Sequence, residues 1–104
     1  MSNYNKLVRD NIIEIIHQTG KNCEYKVLDS NEFKIELLKK LEEEVEEYHK
    51  DNNVEELADI IEVVYSLARL HKCSPQQLEK IRAKKAATHG SFNKKIFLLE
   101  VKDK

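Results

Sequence analysis

Glycine and proline are nearly missing from this chain: two glycines and one proline in 104 residues. Folds rich in strands need such residues at their many turns, so the scarcity points to helices, as does a charged fraction of 36%. Cysteine is scarce too. Cys23 and Cys73 form no CxxC or other metal-binding spacing, and two lone thiols suit a reducing cytoplasm. No uncharged apolar run approaches the roughly 20 residues that a membrane helix needs. The opening Met1-Ser2-Asn3-Tyr4-Asn5-Lys6 carries no apolar signal stretch. Internal repeats, linkers and low-complexity segments are also lacking, so residues 1–104 read as a single domain with a modest core.

What is present is charge, unevenly placed. The net charge of −1 hides ten acids within residues 42–62 (Glu42, Glu43, Glu44, Glu46, Glu47, Asp51, Glu55, Glu56, Asp59 and Glu62) against Lys50 alone. That stretch carries −9, so the remainder carries +8. Residues 80–95 hold Lys80, Arg82, Lys84, Lys85, Lys94 and Lys95 and no acid. An acidic centre beside a basic flank suits a cation plus a phosphorylated ligand better than nucleic acid. Sequence-specific DNA binding fits poorly with a pI near 6.4.

Apolar periodicity predicts an all-α fold of about four helices around a central antiparallel hairpin. The first runs from Val8 to about Thr19, with Val8, Ile12, Ile15 and Ile16 on one face and Gly20 as its stop. Asp29 or Ser30 caps a second helix reaching about Lys50, with Phe33, Leu37, Leu38, Leu41, Val45 and Tyr48 toward the core. Asp51-Asn52-Asn53 forms a tight turn, and Asn53 caps a third helix to about Lys72. Ser74-Pro75 opens a fourth that ends near Gly90. Residues 23–28 and 95–101 have β character, and a short two-stranded pairing of the two is expected.

Phase singles out four carboxylates. Glu44 falls inside the apolar stripe of the second helix, and Glu47 flanks it one turn later. On the third helix Glu56 projects between Val63 and Leu67, and Asp59 lies beside Val63 and Leu70. Enclosing a lone carboxylate costs several kcal/mol unless it is neutralised, paired or bound to metal. Counted outward from Asn52, Glu47 pairs in height with Glu56 and Glu44 with Asp59, each to within about 2 Å at a rise of 1.5 Å per residue. The projection places no Lys or Arg among the four acids. Such hard oxygen ligands, with no His or Cys, call for Mg²⁺ or Mn²⁺ rather than zinc. The plainer reading is a solvated acidic surface, which the double interruption and the matched heights oppose.

These residues resemble the signature of the MazG-like all-α NTP pyrophosphohydrolase superfamily, EExxE on one helix and ExxD on the next. The matching stretches are Glu43-Glu44-Val45-Glu46-Glu47 and Glu56-Leu57-Ala58-Asp59. The opening Tyr4-Asn5-Lys6-Leu7-Val8-Arg9-Asp10 is similar to the small single-domain branch. So are Arg82-Ala83-Lys84-Lys85 and His89-Gly90-Ser91-Phe92. The resemblance implies a helical, often dimeric or larger protein that cleaves a nucleoside triphosphate to monophosphate and pyrophosphate with Mg²⁺. It makes Glu44, Glu47, Glu56 and Asp59 the metal ligands. Glu43 would hold a second ion or orient the attacking water. Lys6, Arg9, Arg82 and Lys85 are the candidate phosphate cations. Two departures stand out. Eight residues separate Glu47 from Glu56, fewer than in many relatives, and Asn11 and Ile13 replace a common Lys and Pro.

Other readings remain beside it. Phosphoribosyl-ATP hydrolysis belongs to the same superfamily. A non-catalytic module of this fold would bind a nucleotide or a protein. A di-iron bundle would use Glu-x-x-His on two helices, but Glu14–His17 and Glu46–His49 lie opposite their apolar stripes. The reading adopted is a cytoplasmic, metal-dependent nucleotide pyrophosphohydrolase acting on a small-molecule nucleotide. It is expected to be a homodimer or larger, with no nucleic-acid or membrane partner.

Overall fold

A computed structural model describes residues 4–103. Four helices follow one another: α1 (Ile12–Gln18), α2 (Ser30–Asp51), α3 (Val54–Leu70) and α4 (Pro75–His89). The all-α expectation therefore holds, and the helix ends lie where local chemistry puts them. Asp29 caps α2 by accepting a 2.9 Å hydrogen bond from the Glu32 amide. That backbone bond holds its carboxyl below the usual range. Asn52 closes α2 in the left-handed conformation at φ 50°, donating its N–H to the Tyr48 carbonyl. Asn53 then opens α3, its Oδ1 accepting from the Glu56 amide at 3.1 Å. Ser74 and Gln77 form a reciprocal capping box ahead of Pro75.

The tight Asn52-Asn53 turn folds α3 back along α2, and this hairpin is the main packing unit. Leu37 from α2 with Val63 and Ala68 from α3 are the buried residues among those described. α4 meets α3 over a much shorter stretch than α2 does. The consequence is an extended molecule, 67 Å in its longest dimension with a radius of gyration of 18.5 Å. A compact chain of this length would have a radius of about 13 Å. No helix of the described residues is long and apolar enough to cross a membrane. Cys23 and Cys73 are free thiols.

Two local expectations are corrected. α1 begins at Ile12 instead of Val8, because the preceding residues turn (Ile12 N–H to Arg9 C=O, 3.1 Å) and Arg9 reaches across to α3. Residues 23–28 and 95–101 form no strand among the described residues. Lys95 turns the chain at φ 58°, and the segment beyond it makes no ladder with residues 23–28 of the same chain.

Candidate metal centre

The turn does bring acids from the two helices together. Glu44, Glu56 and Asp59 each place a carboxylate oxygen within 4.8 Å of the others, and Glu47, Asp51 and Glu56 form a second such group. Glu56 belongs to both, at the seam of the hairpin. Its position is fixed from the backbone up, because its own amide is tied to the Asn53 cap. Its carboxyl is pushed above the ordinary value of 4.5, first by partial burial and then by Asp51, Asp59, Glu47 and Glu44. Glu44 is the most enclosed of the candidate ligands for which ion-pair geometry is defined, its side chain 13% exposed against 39% for Asp59. All-oxygen donors at this separation suit Mg²⁺ or Mn²⁺, so the residues present fit the expected ion.

Cations reach these acids, which the helical projection alone does not show. Lys40, only 18% exposed, lies 3.4 Å from both Glu43 and Glu44. It sits one turn before them on α2, and the i to i+4 spacing of Lys40 and Glu44 was the available signal. Arg9 donates to Asp59 at 2.6 Å and lies 4.0 Å from Glu62. Lys6 lies 3.6 Å from Glu43. The segment before α1 thus lies over the acidic side of the hairpin.

The candidate phosphate cations divide accordingly. Lys6 and Arg9 stand at the acids. Arg82 instead donates two hydrogen bonds to Glu79 on its own helix, at 2.9 and 2.6 Å, which lowers the Glu79 pKa and raises its own. Among the described residues neither Arg82 nor Lys85 forms an ion pair with the hairpin acids. Asp51 joins the second group of acids although its place in the turn marked it only as a turn residue. Glu42 and Glu46 are exposed, as are Glu14, His17 and His49. No family model, curated protein or solved structure was found to match this chain.

Proposed function

We propose that this chain is a divalent-metal-dependent nucleoside triphosphate pyrophosphohydrolase. The observation that carries the reading is the convergence of Glu44, Glu56 and Asp59, from two helices, on one point. Three carboxylates held that close repel one another unless a cation sits between them, and the Glu56 pKa is raised first by partial burial and then by the neighbouring acids Asp51, Asp59, Glu47 and Glu44. Mg²⁺ bound there would neutralise phosphate charge and polarise the phosphorus under attack.

The remaining roles fall to the chain itself. Glu43, at the rim beside Lys6 and Lys40, accepts a hydrogen bond from the attacking water and orients it. Lys6 and Arg9 move from their carboxylate partners to the polyphosphate, where a planar guanidinium grips two oxygens at once. Water adds its hydroxyl to one phosphorus as the α–β phosphoanhydride bond breaks. Pyrophosphate leaves with the bond electrons, and the water proton passes to solvent. Two further parts of the reading are a cytoplasmic setting, suited by the free thiols, and a homodimer joined through the apolar side of the hairpin.

One observation favours a non-catalytic module. Arg9 and Lys40 already pair with Asp59 and Glu44, at 2.6 and 3.4 Å. A panel of normal and modified nucleotides, assayed for pyrophosphate with and without Mg²⁺, separates the two. Metal-dependent release from at least one nucleotide supports the enzyme. Silence across the panel, with phosphoribosyl-ATP included, supports the module.

A further inference from the structure

The segment after α4 is the least covered part of the described chain, and its composition is wrong for a solvated strand of linker. Phe92, Ile96, Phe97, Leu98, Leu99 and Val101 lie within it, with Phe97 85% and Leu99 87% exposed. In an extended conformation Phe97, Leu99 and Val101 line one side while Ile96 and Leu98 line the other, so both sides call for burial. Beyond Lys95 its backbone makes no hydrogen bond to a described residue.

Residues 21–28 are in the same condition. They are irregular, lie outside every helix, and make no backbone hydrogen bond to a described residue. Val27 is 89% exposed. Beside this segment lies a groove of about 330 Å³ lined by Leu7, Val27, Leu28 and Phe33, with Lys26 at its edge. The groove is roomy enough for an aromatic side chain. An apolar helix face would cover side chains of the arm but leave its peptide groups unpaired, which costs free energy. Residues 23–28 offer backbone partners and a groove together.

Within one chain the arm is not seated there, which leaves both the arm and the groove open to a second copy. The accessible surface of 10037 Å² decides what. A compact monomer of this mass exposes about 6,000 Å². The excess, about 4,000 Å² on each chain, is more than enough for an obligate homodimer, which buries about 2,000–5,000 Å² counted over both partners. We propose that residues 95–101 of one copy pair as a β-strand with residues 23–28 of a second copy, with Phe97 in the groove, and that the exchange is reciprocal about a two-fold axis. This strand exchange adds to the dimer read above and is separable from it.

The test mixes isotope-labelled and unlabelled full-length chains and reads filtered nuclear Overhauser contacts between copies, with light scattering on the same sample. The expected result is about twice 12.2 kDa, with contacts between residues 23–28 and 95–101 of different copies. Phe97→Asp and Val27→Asp should each abolish those contacts while helical circular dichroism persists. A one-chain mass, or contacts only within one copy, overturns the proposal. A dimer whose arm shows no inter-copy contact overturns it while leaving the hairpin dimer standing. Pyrophosphate release by the wild type reports on the acidic site alone.

Discussion

Leu38 and Glu43 share α2 yet face opposite sides of the hairpin. At about 100° per residue, Leu38 and Val45 lie to one side of the line toward α3, and Glu43 and Glu47 to the other. α3 runs antiparallel, so its rotation is mirrored, and Leu57 and Ile61 join Leu38 and Val45 on the apolar side. Asp59 and Glu62 join Glu43 on the acidic side. Arg9 and Lys6, near neighbours in the chain, reach Asp59, Glu62 and Glu43, as that assignment requires. The acidic side is covered by a cationic segment of its own chain. The apolar side, with Leu38, Val45, Leu57 and Ile61 all exposed, has no such cover among the described residues. One hairpin therefore presents a surface that asks for a cation and another that asks for apolar partner surface.

The largest effect should come from the cations. If Lys6 and Arg9 are the phosphate ligands, Arg9→Ala should lower kcat/KM by about 10²-fold, on the order of 2–4 kcal/mol of transition-state stabilisation, and Arg9→Lys should not restore it. Arg82→Ala should leave steady-state hydrolysis near wild type, since Arg82 serves Glu79 on its own helix. Equal loss in Arg9→Ala and Arg82→Ala would bring α4 back into the site, and with it a second copy.

A middle-sized effect concerns the apolar side. Ile61→Asp should reduce the light-scattering mass toward one chain at micromolar concentration. It should leave Mg²⁺ binding intact, because the acids face the other way. Joint loss of dimer and metal would break the two-sided picture.

Much of this arrangement is legible in the sequence, and the reason is local. Asp29, Asn53 and Ser74 stop and start helices through bonds to residues three positions away, so short-range chemistry placed α2, α3 and α4 almost to the residue. The height match across the Asn52-Asn53 turn likewise followed from rise per residue. What periodicity did not carry was every long-range choice. Arg9 lies 50 residues from Asp59, and no pattern within one helix encodes that bond. The same holds for the route of α4, which left Arg82 away from the acids and residues 95–101 unpaired. Lys40 lies in range of a local rule, the i to i+4 spacing to Glu44, but a projection built on apolar stripes carries no weight for it.

The smallest effect is a pH dependence. Glu56 in the folded chain holds its proton to higher pH than in the unfolded chain, where it titrates near 4.5. As pH rises from that value through the folded pKa, the unfolded state binds fewer protons and the metal-free fold loses stability. Bound Mg²⁺ removes that loss. The gain in Tm with millimolar Mg²⁺ should thus be small near pH 4 and grow toward neutrality. A gain that shrinks as pH rises would contradict the crowding of Glu56.

Everything proposed for the acidic side of the hairpin requires that it hold a divalent ion. Titration calorimetry of Mg²⁺ and Mn²⁺ into wild type, Glu44→Gln and Glu46→Gln asks this without any substrate. Glu44 lies in the convergent group, whereas Glu46 faces solvent two residues away. Wild type and Glu46→Gln should bind alike, and Glu44→Gln should bind at least about tenfold more weakly, roughly 1.4 kcal/mol. Equal affinity in all three proteins, or no binding of either ion to the wild type, would contradict it.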